Sequence, residues 1–304
     1  MPAASSPPTC CASPASPEPG RRALSTAPAP AVRATVDGLA VVRRRPETVD
    51  PDRPTVVLVH GAMDRAASFG RVMRRLVDTD VIAYDRRGYA GSLGAGVATR
   101  LAEHAADLGR VADWSGADTV VAVGHSLGGT IALLLAAGDP PGLVGLGAFE
   151  SPVPSLPGYR SEGGDLALEA ASTGGPPAGA EAFYRLLVGD RTWDRLRSTD
   201  RDTRRAEGAA LVAELQDLRR PGGSPDLRSV RVPVVAGAGS ASPAAWRRPA
   251  EELVEHLSDA VLVEIAGAGH GAHLSHPDLF ARYVGACVAG PHGAGDLDGR
   301  TSRA

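Results

Sequence analysis

The stretch Val120-Val121-Ala122-Val123-Gly124-His125-Ser126-Leu127-Gly128-Gly129 constrains the fold more than any other part of the chain. A β-branched run stops at a glycine, and a helix-forming stretch, Thr130 to Ala137, follows at once. Ser126 stands between them in a Gly-x-Ser-x-Gly arrangement. So tight a strand-to-helix turn needs small neighbours, because side chains there would meet backbone. It would lift the serine oxygen above a sheet, beside the first free N–H groups of a helix.

The rest of the chain repeats this strand-then-helix rhythm. Val32 to Val42 alternates around the turn dipeptide Asp37-Gly38 and reads as an opening hairpin. Thr55 to Val59, Val81 to Tyr84, Leu143 to Phe149, Val232 to Ala236 and Ala260 to Ile265 are short apolar runs, as expected of strands buried on both faces. Helical spacing fills the gaps: Ala67 to Val77, Thr99 to Trp114, Pro243 to Leu257 with Ser242 as its cap, and Pro277 to Val288. This alternation predicts an α/β fold, a mostly parallel sheet with helices on both faces.

Residues 153–228 break the rhythm with Gly/Pro-rich pieces and two helical patterns, near Glu181 to Val188 and Arg204 to Arg220. They read as an insertion into a core formed by residues 31–152 and 229–290. The Pro-, Ala- and Ser-rich residues 1–30 and the stretch 291–304 read as a disordered tail and a flexible tail.

The 304 residues carry a formal charge of −3, which gives no reason to expect nucleic-acid binding. Three cysteines, two of them adjacent at Cys10 and Cys11, make no disulfide framework. No apolar run approaches membrane-spanning length, and the first thirty residues lack the pattern of a signal peptide, so a soluble, cytoplasmic protein is expected. The oligomeric state is left open.

In open α/β sheets, active residues gather at the carboxyl ends of the strands. Ala62, Ser126, Glu150 and His270 each fall just past a strand. A serine needs a positioned base to lose its proton at neutral pH. His270 follows the last strand in Gly267-Ala268-Gly269-His270 and is favoured over His273 and His276. A carboxylate should orient that imidazole. Glu150 can reach it, since neighbouring strands stand ~4.8 Å apart; the bland alternative is a Glu that caps a turn. Asp226 and Asp259 precede strands and belong at the other edge of the sheet. The tetrahedral oxyanion needs preorganised donors, which points to the backbone N–H groups of Leu127 and Ala62, with Met63 as a fallback.

His60 reads as a loop-supporting residue, and Asp85 and Arg87 as anchors of the loop through Ser92. His270, His273 and His276 have helical spacing but lie in a Gly/Pro-bounded loop, so no metal is expected there. No cofactor is expected.

Taken together, Val-His-Gly-Ala (59–62), Tyr-Asp-Arg-Arg-Gly-Tyr-Ala-Gly-Ser (84–92), Gly-His-Ser-Leu-Gly-Gly (124–129) and Gly-Ala-Gly-His (267–270) resemble the α/β-hydrolase superfamily over residues 32 to 289, most of the insertion excluded. The resemblance implies a cofactor-free Ser–acid–His hydrolase acting on a small molecule, with a helical cap inserted after the sixth core strand, where residues 153–228 fall. Most relatives carry the acid after the following strand, about where Ser240 stands, but Gly237 to Pro243 holds no Asp or Glu. A minority, including some haloalkane dehalogenases, place it after the sixth strand, as Glu150 would. Ser126 stands where dehalogenases use aspartate, which disfavours dehalogenase and epoxide hydrolase chemistry. Three readings follow: a serine hydrolase of carboxylic esters or similar small acyl compounds; a C–C bond hydrolase or lyase on the same scaffold; and a non-catalytic binding protein.

Overall fold

The computed structural model describes residues 30–159, 161–293 and 301–302. The tail expected over residues 1–30 falls, but for Pro30, outside them. Among the described residues nine strands form one sheet: β1 (Ala31–Val36), β2 (Leu39–Arg44), β3 (Thr55–Val59), β4 (Val81–Tyr84), β5 (Val120–His125), β6 (Leu143–Phe149), β7 (Val234–Gly239), β8 (Ala260–Ile265) and β9 (Thr301–Ser302). Their order is β1-β2-β4-β3-β5-β6-β7-β8-β9. The block from β4 to β8 is parallel, and β1, β2 and β9 add antiparallel edges. Asp37 and Gly38, at φ 48° and 84°, make the expected turn of the β1–β2 hairpin.

The helices, in chain order, are α1 (Gly70–Met73), α2 (Leu101–Ser115), α3 (Leu127–Ala137), α4 (Glu162–Val188), α5 (Asp190–Arg195), α6 (Ser198–Ala206), α7 (Gly208–Leu218), α8 (Ala244–His256), α9 (Ala272–Ser275) and α10 (Pro277–Gly293). The uninterrupted apolar runs have the expected cause. Val57 and Val59 face one hydrophobic cluster, with Leu108, Ile131 and Leu253, while Val56 and Leu58 face another, with Phe69, Phe280 and Val284. Alternate side chains of a strand point to opposite faces, so a sheet covered on both sides needs apolar residues at every position.

Several boundaries differ from the sequence expectation. The helix expected over Ala67 to Val77 is a 3₁₀ turn (Ala66–Phe69) followed by the single turn α1. Ser242 does not cap α8: Pro243 occupies that place, and the buried Ser242 hydroxyl has no partner among the described residues. The stretch expected to be a flexible tail from residue 291 continues α10 to Gly293, past a break at Gly290 (φ 70°), and Thr301–Ser302 pairs with β8.

The largest difference lies between β6 and β7. Four helices stand there instead of two, and α4 begins at Glu162. Its chain breaks at Gly175 (φ 74°), where Pro176 and Pro177 open a second helical segment. Proline is tolerated in the first turn of a helix, so Gly-Gly-Pro-Pro marks a hinge between helices and not a loop. Among the described residues no helix is long and apolar enough to cross a membrane.

Candidate active site

Ser126 sits at φ 52° and ψ −129°, between the end of β5 and the start of α3. This left-handed conformation is strained for a residue with a side chain, and the surroundings hold it in place. Two close approaches explain its flanking glycines. A Cβ on Gly124 would lie 2.2 Å from the Gly129 nitrogen, and one on Gly128 would lie 2.1 Å from the Val59 carbonyl oxygen. The Ser126 N–H donates to the Phe149 carbonyl at 2.8 Å, tying the turn to the end of β6.

Glu150 follows β6 directly and is also left-handed, at φ 43°. Its N–H donates to the Gly237 carbonyl of β7 at 2.8 Å, and its Oε1 accepts from the Gly239 N–H at 2.8 Å. Its Oε2 lies 2.7 Å from His270 Nδ1. The carboxylate therefore crosses under the end of β7 to the loop after β8. Asp226 instead accepts from the Arg228 N–H, and Asp259 lies 3.8 Å from His292.

His270 is half-buried, with Trp246 of α8 edge-on to its ring at a centroid distance of 4.0 Å. Burial lowers its pKa below the ordinary histidine value, although the Glu150 hydrogen bond and charge oppose that shift. His125 Nε2 donates to the His270 carbonyl at 2.7 Å, which connects the residue before Ser126 to the histidine loop. His276 turns elsewhere and contacts the Ser275 hydroxyl at 2.9 Å. Sequence reasoning missed Trp246 and His125, because neither contact is local.

The loop after β3 approaches Ser126 closely: a Cβ on Gly61 would lie 2.9 Å from the Ser126 Cβ. Ala62 follows in this loop, and Leu127 opens α3, where the first N–H groups have no intrahelical acceptor. Arg86, fully buried after β4, holds the loop. Its Nε and Nη2 donate to the carbonyls of His60 and Gly61, each at 3.0 Å, and its backbone N–H donates to His60 Nε2 at 2.9 Å. Burial and the nearby Arg86 charge push the His60 pKa down to about 3, so His60 is a neutral support at ordinary pH. Asp85 accepts from the Ala66 and Gly91 N–H groups, and Arg87 pairs with Asp107 at 2.6 Å.

Arg86 is paired in turn by Glu214 of α7, which also accepts from the Tyr89 hydroxyl at 2.6 Å and lies 2.9 Å from His104 Nε2. Burial opposes the charge of Glu214, but Arg86 and His104 outweigh it and bring its pKa to about 2. Glu207, just before α7, bonds Arg65, Arg204 and the Ala90 N–H at 2.9, 3.2 and 3.1 Å. The helices between β6 and β7 are thus fastened to the loops after β3 and β4 by buried charge. A cleft of about 180 Å³, lined by Arg65, Tyr184, Leu196, Asp200, Thr203 and Arg204, opens where α6 faces the loop after β3.

Residues 56–283 match the alpha/beta hydrolase family. The chain belongs to that family. A part of the polyketide synthase ThaQ of Burkholderia thailandensis is 31% identical to this α/β-hydrolase-family chain over 188 residues, 58% of the chain but 9% of that protein. The 2-succinyl-6-hydroxy-2,4-cyclohexadiene-1-carboxylate synthase of Serratia proteamaculans is 25% identical, over 76% of this chain and 92% of that one. Among solved structures, E-2-(acetamidomethylene)succinate hydrolase is similar at 22% identity and a TM-score of 0.60, covering 85% of this chain and 99% of that one. The enol-lactonase of Burkholderia xenovorans is similar at 20% identity and a TM-score of 0.61, covering 83% and 98%. These structural likenesses show the α/β-hydrolase fold.

Proposed function

We propose that this α/β-hydrolase-family protein is a serine hydrolase acting on a carboxylic ester or a similar small acyl compound through an acyl-enzyme. In this reading Ser126 is the nucleophile, His270 its general base, and Glu150 the carboxylate that orients and stabilises the imidazole. The observation that carries it is the 2.7 Å contact between His270 Nδ1 and Glu150 Oε2, at the strand ends beside the strained Ser126 turn. A hydrogen bond to Nδ1 selects the tautomer whose Nε2 can take the serine proton. The N–H groups of Ala62 and Leu127 receive the oxyanion, and loss of one such donor costs ~3 kcal/mol of transition-state stabilisation. The helices between β6 and β7 act as a cap, and their contacts with the loop after β3 set the shape of the acyl site. No metal or cofactor has a part in this mechanism.

Reaction of the purified protein with a fluorophosphonate, followed by peptide mass spectrometry, is expected to place the adduct on Ser126. A folded protein that takes up no label overturns the reading. The pH profile supplies a second check. His270 acts as a base only when neutral, and burial lowers its pKa, so activity rises with pH through an apparent pKa below 6.5 and is level at neutral pH. An acid limb centred above pH 7 would remove His270 as the base.

A lyase or C–C hydrolase reading is favoured by one finding, the match along nearly the whole length of a 2-succinyl-6-hydroxy-2,4-cyclohexadiene-1-carboxylate synthase. p-Nitrophenyl esters of graded acyl length, assayed beside carbon-bonded substrates, separate the two. Ester turnover dependent on Ser126 supports the first.

A further inference from the structure

Three side chains converge next to the candidate site without a part in the proposed reaction. Asp64 lies in the loop after β3, His125 ends β5, and His273 belongs to α9. One carboxylate oxygen of Asp64 and one ring nitrogen of each histidine lie within 4.8 Å of one another. Both histidines are buried, at 5% and 2% exposure, with ring centroids 4.3 Å apart.

Their hydrogen bonds leave lone pairs over. His125 Nε2 faces the His270 carbonyl, so it carries the ring proton and Nδ1 is a bare lone pair; that Nδ1 has no partner among the described residues. His273 Nε2 lies 3.2 Å from Asp64 Oδ2, and its own Nδ1 is likewise unpartnered. An unsatisfied lone pair at such depth is costly, and the bare His125 Nδ1 in the ring packed on His273 points to something it can bind.

We propose that Asp64, His125 and His273 form a binding site for a divalent transition-metal ion of the zinc class. Two neutral imidazoles and one carboxylate are a donor set that such ions prefer, and a further position is left for water or another ligand. Tetrahedral ligands held ~2.0–2.1 Å from zinc stand ~3.3 Å apart. The 3.2 Å between Asp64 and His273 already has that spacing, so an ion can replace the proton they share and draw His125 in. The bond from His125 Nε2 to the His270 carbonyl then fixes the ring orientation from behind, as a ligand histidine requires. His270 itself faces Glu150 and is no ligand.

The ion would sit beside His270, whose ring centroid lies 4.6 Å from that of His125. Its charge opposes formation of the His270 imidazolium, so on the serine-hydrolase reading zinc inhibits; binding itself does not depend on that reading.

The test is equilibrium dialysis of the full chain against zinc, with cobalt absorption spectroscopy as the geometric readout. Wild type and Ser126→Ala are expected to take up one equivalent, with the intense visible bands of low-coordinate cobalt. Asp64→Asn, which keeps shape and removes charge, and His273→Gln are expected to bind at least ~10-fold more weakly. Should His273→Gln fail to fold, Asp64→Asn alone decides. No saturable uptake by wild type below ~100 μM metal, or uptake unchanged in Asp64→Asn, overturns the site.

Discussion

Ser126→Ala is expected to lower kcat/KM on the best ester substrate by about 10⁶, because the acyl-enzyme can no longer form. The fold should persist. Alanine occupies the same φ 52° backbone, and the turn is held by the Ser126 N–H bond to Phe149 and by close packing at Gly124 and Gly128, none of which uses the hydroxyl. Glu150→Gln is expected to lose about 10⁴. Its amide oxygen can still accept from the Gly239 N–H, but its NH₂ then faces His270 Nδ1, which becomes the acceptor and moves the ring proton to Nε2. The base is then lost with the geometry intact. Combined, the two substitutions should cost no more than Ser126→Ala alone, since the groups act as a unit. Steady-state kinetics and circular dichroism of the three variants check this; an active, well-folded Glu150→Gln removes Glu150 from the mechanism.

The second large effect concerns stability. Glu214→Ala leaves the Arg86 guanidinium fully buried without its counter-ion, and takes a partner from the Tyr89 hydroxyl. Breaking a buried pair from one side costs about 3–5 kcal/mol. The midpoint of urea unfolding should fall accordingly with an unchanged slope. Arg86 also holds the carbonyls of His60 and Gly61, so a freed guanidinium would loosen the loop that carries Ala62. Activity should therefore fall as well at temperatures where the variant is folded. A variant as stable as wild type would show that Arg86 finds another partner.

Where a structural cause is local, the amino-acid order displays it. The glycines around Ser126 and the β-branched runs that become β3 to β8 respond to sterics and to two-sided burial within a few residues. The helices between β6 and β7 are less legible. Gly163-Gly164 and Gly174-Gly175-Pro176-Pro177 carry the composition of loops, yet α4 runs through them, because packing on α7 and one left-handed glycine absorb the break. The absent cap at Ser242 has a similar origin: Pro243 takes an extended ψ of 146° and helix begins only at Ala244.

Among charged residues, Asp85 and Arg87 are recognisable as loop anchors, whereas Arg86 between them is not. Its partner Glu214 lies 128 residues away on α7. The convergence of Asp64, His125 and His273 is equally invisible from spacing, which would group His273 with His270 and His276.

Hydrophobic periodicity and glycine sterics act over a few residues, so the amino-acid order alone specifies an α/β core with a serine at a strand-to-helix turn. Which carboxylate meets which imidazole is set by the folded sheet. Glu150 reaches His270 across 120 residues because β6, β7 and β8 lie side by side in register, and the N–H groups of β7 hold the carboxylate in line. Such contacts depend on the path of the whole sheet, and no local pattern records it.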